Sequence, residues 1–208
     1  MTEPFKVGVT GSLGAGKSTL CRLLAAQGLA IIDADAVSRQ VTAPGAPVLE
    51  QLVEAFGADI IDEQGGLDRA RLAARALTDL AGRDRLQALL HPPIRQALAE
   101  AVRALGDGGH RVVVIEASMI LEGGHQAFYD MLVVVTAPTE LKLERAAGRG
   151  MATDEARRRL DLQWPDGRKT ARADWVVENS GDRVALSSAA AELAAEIERR
   201  APTGGRES

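Results

Sequence analysis

The chain has 208 residues, 46% hydrophobic and 26% charged, which excludes wholesale disorder and is long enough to bury a core without metal or disulfide support. A formal net charge of −4 argues against a broad nucleic-acid surface, and a lone cysteine, Cys21, excludes an internal disulfide and fits a reducing, cytoplasmic compartment. No apolar run reaches transmembrane length and no basic-then-apolar leader opens the sequence, so no membrane partner is expected.

A short apolar strand is expected over residues 5–10, followed by Gly11-Ser-Leu-Gly-Ala-Gly-Lys-Ser18 and a helical pattern through Ala26. The loop fits G-x-x-x-x-G-K-[ST], with Gly11, Gly16, Lys17 and Ser18 on the fixed positions, and its strand–loop–helix context is the confirming one. Glycines let backbone N–H groups turn inward around a phosphate chain, and the helix N-terminus adds a favourable dipole. In such a loop Lys17 reaches the β- and γ-phosphates and the Ser18 hydroxyl ligates Mg²⁺. A bound nucleoside triphosphate follows from this; the reaction does not.

Leu29–Asp33 reads as a second buried strand and ends in Asp33-Ala-Asp35. Ligands of open α/β sheets gather at the carboxyl ends of strands, so these carboxylates can accept a proton from a substrate hydroxyl and organise Mg²⁺ or its waters. Either aspartate also suits a helix cap. A mostly helical stretch runs from about Ala36 to Leu105, interrupted by turn signals at Ala43–Pro47, Gln64–Gly66 and His91-Pro-Pro93.

Arg111–Glu116 and Met131–Ala137 are continuous apolar runs, the pattern of parallel strands covered on both faces. Helices are expected at Thr139–Ala147 and Thr153–Leu162, a last strand at Ala173–Glu178, a packing helix at Val184–Arg199, and a disordered tail from Pro202 to Ser208. Cys21, on the helix after the phosphate loop, reads as a buried packing residue. Strands alternating with helices give a three-layer α/β fold with a mostly parallel sheet.

Between Lys142 and Arg172 the chain carries nine Lys or Arg against five Asp or Glu, a local excess of four positive charges in an acidic protein. Such a segment can serve anionic ligands or form a solvated, mixed-charge face. Arg145 and Arg149, four apart, share one helix face, and cations on a mobile segment can close over a transferring phosphoryl group. Trp164 can stack on a base or pack at the surface. His110 and His125 lack nearby ligand partners in sequence, so no protein-built metal site is expected.

In order, GxxGAGKS, DAD, HP-x-I (His91, Pro92, Ile94), a strand followed by Met119–Glu122, Arg145 with Arg149, Ala156/Arg159/Gln163 and Lys169/Ala173/Asp174/Val176/Asn179/Gly181 resemble the dephospho-CoA kinase family over residues 6–186. The resemblance implies a P-loop NTPase fold in one kinase domain spanning 1–201. Its core would be 5–35, 111–138 and 173–200, its helical substrate region 36–105 and its helical lid 139–172. It further implies transfer of the ATP γ-phosphate to the ribose 3′-hydroxyl of dephospho-CoA, giving CoA and ADP.

By position, Lys17, Asp35, Arg145 and Arg149 take the catalytic roles, with Asp35 as the base. ATP would be held by Gly11, Gly14, Ala15, Gly16, Lys17, Ser18, Thr19 and Asn179, and the acceptor by Asp33, Asp35, Arg39, His91 and Glu122. Ser18 would meet Mg²⁺ through ATP.

The chain departs from the family in places. Glu116-Ala-Ser-Met-Ile-Leu-Glu122 replaces the usual Asp-x-Pro-Leu-Leu-Phe-Glu pattern, and Leu77 stands where phenylalanine is common. A nucleotide or nucleoside kinase is the nearest rival, and a P-loop switch protein is disfavoured because no N-K-x-D guanine motif is present. The expected partner is a small molecule, and the expected state is a monomer or weak homo-oligomer.

Overall fold

The computed structural model describes residues 3–76 and 78–202; Leu77 and Thr203–Ser208 of the expected tail lie outside the described residues. Five strands form one parallel sheet: β1 (Phe5–Gly11), β2 (Ala30–Asp33), β3 (Val112–Glu116), β4 (Met131–Thr136) and β5 (Trp175–Glu178). Their order is β2-β3-β1-β4-β5. The central strands are apolar because both faces are covered: Val113, Val114, Ile115, Val133, Val134 and Val135 are fully buried. Register sets β1 beside β3 and β4, so Gly11 ends level with Val135 while Val9 pairs with Glu116. The loop after β1 thus leaves from the middle of the sheet, where α/β folds bind ligands.

The chain forms two compact units. The first holds the sheet, with α1 (Lys17–Ala26) and α9 (Arg183–Arg200) on one face. Leu20, Leu24, Leu193 and Ile197 drive that packing, since each is fully buried against the sheet's valines. The Asp182 side chain caps α9 by accepting from the Ala185 N–H at 2.9 Å. On the opposite face Ile120, Leu121, Leu132 and Val134 pack with Tyr129, Trp164 and Ala173. Three short helices, α6 (Thr139–Ala147), α7 (Thr153–Asp161) and α8 (Asp166–Thr170), lie between β4 and β5 in the chain.

The second unit, Ala34–Ala101, is helical: α2 (Ala34–Val41), α3 (Pro47–Phe56), α4 (Arg69–Ala76) and most of α5 (Leu80–Asp107). Its own core is Val48, Leu52, Ile60, Leu72 and Ala76. Pro47 opens α3 at the first turn, where its missing N–H costs nothing.

His91-Pro-Pro93 is not a break: α5 runs through Pro92 and Pro93. Two backbone hydrogen bonds are lost there, but proline's fixed φ is helical. Apolar anchors on both sides hold the axis, with Leu86, Leu89 and Leu90 in the helical unit's core and Leu98 and Val102 buried. No helix of the described residues is long and apolar enough to cross a membrane.

Candidate active site

The phosphate loop is shaped by what presses on it. Gly14 and Gly16 have φ of +75° and +104°, values that side-chain-bearing residues rarely adopt. A Cβ on Gly14 would run into the backbone of Lys142, and one on Gly16 into the Asn179 amide. Asn179, buried just beyond β5, donates Nδ2–H to the Ala15 carbonyl at 2.8 Å. Arg145 donates one guanidinium nitrogen toward the Gly14 and Ala15 carbonyls at 3.4 Å each and the other to the Asn179 carbonyl at 3.1 Å. The loop's outer carbonyls are thereby engaged, and α1 begins at Lys17 with its N-terminus toward the loop.

Lys17 is buried and its Nζ donates to the Gly11 and Ser12 carbonyls at 2.9 and 3.2 Å. Ser18 donates its hydroxyl to Glu116 Oε1 at 2.6 Å. Glu116 ends β3 and pairs in register with Asp33 at the end of β2, so two carboxylate residues sit on adjacent strand ends beside the loop. The Thr19 hydroxyl accepts from Arg22 at 3.1 Å. Cys21 lies beneath this cluster. Burial raises its thiol pKa far above the usual range, the Glu116 charge and hydrogen bond add to this, and Lys17 opposes it.

In the helical unit, Asp35 and Arg39 lie on α2. Arg69, which opens α4, donates to the Thr42 hydroxyl at 2.9 Å and the Ser38 carbonyl at 3.3 Å near the end of that helix. Burial lowers the Arg69 pKa, Arg39 adds to the effect and Asp35 opposes it, so the three charges belong to one neighbourhood. Nothing in the sequence pattern singled out Arg69. His91 lies within α5, just before its prolines.

The basic segment divides by environment. Arg145 is half-buried against the loop, whereas Arg149 is exposed and donates Nε–H to the Arg145 carbonyl at 3.2 Å. Lys142 is buried and pairs with Asp166 at 2.6 Å. Lys169, fully buried, lies 2.8 Å from Glu122 Oε1 as an ion pair without linear hydrogen-bond geometry, and Glu122 Oε2 has no hydrogen-bond partner among the described residues. Glu122 Oε1 also accepts the Trp164 N–H at 3.0 Å. Two lysines counted toward anionic ligands therefore have internal carboxylate partners. One face of Trp164 carries the Arg168 guanidinium, 3.4 Å from the ring centre.

The model of the dephospho-CoA kinase family matches residues 5–184. The chain belongs to the dephospho-CoA kinase family. A dephospho-CoA kinase of Anaeromyxobacter dehalogenans is 40% identical over 92% of this chain and 91% of its own. One from Corynebacterium glutamicum is 39% identical over 93% of this chain and 97% of its own. Among solved structures, that of TT1252 from Thermus thermophilus superposes with a TM-score of 0.82 at 31% identity, over 94% of this chain and 98% of the other. Membership in the dephospho-CoA kinase family makes the chain a phosphotransferase with ATP as donor.

Three residues against the loop escaped sequence reasoning in their roles. Glu116 stands out in the sequence only as a departure from the family's usual aspartate, yet its carboxylate accepts from Ser18. Its position at the carboxyl end of a strand adjacent to β1 was the available signal. Gln163, part of the family motif but without a role assigned there, accepts from the Leu13 N–H, and Asp166, which accepts from the Ser12 hydroxyl, offered no signal beyond polarity.

Proposed function

We propose that this kinase phosphorylates the ribose 3′-hydroxyl of dephospho-CoA, with Gly11–Ser18 holding ATP and Asp35 accepting the hydroxyl proton. The oxygen so activated bonds to the γ-phosphorus, the bond to the β–γ bridging oxygen breaks, and ADP leaves. Phosphoryl transfer needs positioning and charge neutralisation more than a strong base, so an ordinary carboxylate suffices. Asp35 takes this role from its match to the family's Asp-Ala-Asp motif, with Asp33 beside it in sequence. Arg39, His91 and Glu122 are the motif-matched acceptor residues, and Arg69 joins Arg39 as a cation for the acceptor's diphosphate. The buried pairing of Glu122 with Lys169 favours a supporting role for that carboxylate.

The observation that carries the reading is the donor side of the site: a glycine loop braced by Asn179 and Arg145, with Lys17 and Ser18 at the start of α1. Asn179 and Arg145 support the nucleotide end of the loop, Gly11, Gly14, Ala15, Gly16 and Thr19 line it, and Arg149 is the exposed lid arginine. Segment 139–172 acts as the lid, 36–105 as the acceptor region and the sheet as the core of one kinase domain.

The residues beside Ser18 fit Mg²⁺: a hydroxyl and two carboxylates are hard oxygen donors. No group of three His, Cys, Asp or Glu among the described residues could hold a metal ion, so the ion would arrive with the triphosphate. When bound, Mg²⁺ neutralises charge on the phosphates. Ser18 would hold it, and Glu116 would orient Ser18. We place the enzyme in the cytoplasm, acting on a small molecule.

The test is product analysis. Incubation with ATP, Mg²⁺ and dephospho-CoA is expected to yield a product heavier by one phosphoryl group that a 3′-nucleotidase converts back to dephospho-CoA. A product resistant to that enzyme would move the transfer to another hydroxyl.

A further inference from the structure

The entry arm of the phosphate loop is held by side chains that the transfer chemistry leaves unexplained. They come from Gln163–Lys169, the segment leading into and through α8. Its inner side is pinned by Glu122, which accepts the Trp164 N–H and pairs with Lys169. From that base two acceptors reach the loop: Gln163 Oε1 takes the Leu13 N–H at 2.8 Å, and Asp166 Oδ1 takes the Ser12 hydroxyl at 2.6 Å. The other oxygen of Asp166 accepts from Lys142 Nζ at 2.6 Å, and Lys142 is itself buried. Lys142 belongs to α6, the helix whose backbone packs against Gly14.

A carboxylate beside a loop that holds a triphosphate repels its ligand unless its charge is cancelled. A neutral acceptor would hold Ser12 without that conflict, so the pairing with a buried lysine is informative. We infer that Asp166 is a positioning residue for ATP. It and Gln163 fix the Ser12–Leu13 arm in its ligand-ready path, and Lys142 cancels the charge that this tether introduces. The inference rests on the reading of Gly11–Ser18 as the ATP site. It gives Lys142 a place inside the apparatus that shapes the loop, while leaving the phosphates to other cations.

The test is charge rescue, read as the ATP dissociation constant by calorimetry and as KM for each substrate. Lys142→Met leaves the carboxylate uncompensated and is expected to weaken ATP about tenfold, with KM for dephospho-CoA unchanged. Adding Asp166→Asn keeps an acceptor for Ser12 without the charge and is expected to restore ATP affinity to within about threefold of wild type. Ser12→Ala, a small change that keeps the fold, is expected to weaken ATP about fivefold, the net worth of one ordinary hydrogen bond.

Unchanged ATP affinity in Lys142→Met, or a double variant as weak as the single, overturns the inference. If Lys142→Met does not fold, Ser12→Ala decides alone, and wild-type ATP affinity in it overturns the inference. Loss of melting temperature with ATP affinity intact reduces Asp166 to a packing role and equally overturns it. Failure of the wild-type chain to bind ATP would instead reject the ATP-site reading beneath it.

Discussion

Ser18 and Glu116 are joined by a 2.6 Å hydrogen bond between residues 98 apart in sequence, the hydroxyl donating to Oε1. This bond ties the first turn of α1 to the end of β3 and aims the serine's oxygen. A longer side chain than the family's usual aspartate reaches the loop here, so the departure at this position preserves a carboxylate against Ser18.

Glu116→Gln keeps the shape and an acceptor oxygen but removes the charge. We expect kcat to fall about 10²-fold, the scale seen when one preorganised electrostatic contact is removed, and the Mg²⁺ concentration for half-maximal rate to rise. Steady-state kinetics across a Mg²⁺ series checks this. An unchanged rate and Mg²⁺ requirement would limit Glu116 to structural support.

Lys17→Ala removes the cation assigned to the β- and γ-phosphates and is expected to lower kcat/KM for ATP by at least about 10³-fold. Circular dichroism separates this from misfolding. Turnover at the wild-type level would reject the phosphate-loop assignment.

Lys169→Met strands Glu122 as a buried, unpaired carboxylate. Breaking such a pair costs about 3–5 kcal/mol, whereas replacing both partners is far milder, so Glu122→Gln with Lys169→Met should recover most of the loss. Thermal and urea unfolding of the single and double variants measure it. Equal destabilisation by the double variant would contradict the pairing.

Cys21 tests the electrostatics under the loop without kinetics. Its folded pKa is raised by burial first and by Glu116 second, so the neutral thiol persists in the folded protein at pH values where an unfolded cysteine, near about 8.5, ionises. Between that value and the raised one the folded state holds a proton that the unfolded state releases. This group's contribution to stability is therefore fully present below about pH 8.5 and declines as pH rises. Native protein at pH 8 should resist a disulfide reagent that titrates the thiol fully after unfolding. Rapid native labelling would contradict the burial.

Much of the fold was legible because its signals are local. The apolar runs at Val112–Glu116 and Met131–Thr136 can be little other than covered strands, and Thr139–Ala147 is a helix at the expected bounds. His91-Pro-Pro93 carries a strong local turn signal, yet apolar anchors before and after the prolines keep α5 helical through them. The site was legible on its donor side, where one contiguous motif supplies the loop. Its bracing was not. Lys142 and Lys169 read as free cations because a sequence shows a charge but not the carboxylate, Asp166 or Glu122, that the fold brings against it. Arg145 likewise showed its spacing from Arg149, but not that its guanidinium turns toward Asn179 and the loop carbonyls.

Asp35→Asn separates base from ligand. We expect kcat to fall about 10²–10⁴-fold, the range for losing a general base, with the ATP dissociation constant held near wild type. Parallel loss of ATP affinity would make Asp35 a metal-organising or structural residue.

The identity of the acceptor is decided by ADP release from the wild-type chain with ATP and Mg²⁺ across dephospho-CoA, adenosine and AMP at matched concentrations. Stoichiometric ADP is expected with dephospho-CoA and only background with the other two. Turnover confined to adenosine or AMP would contradict it.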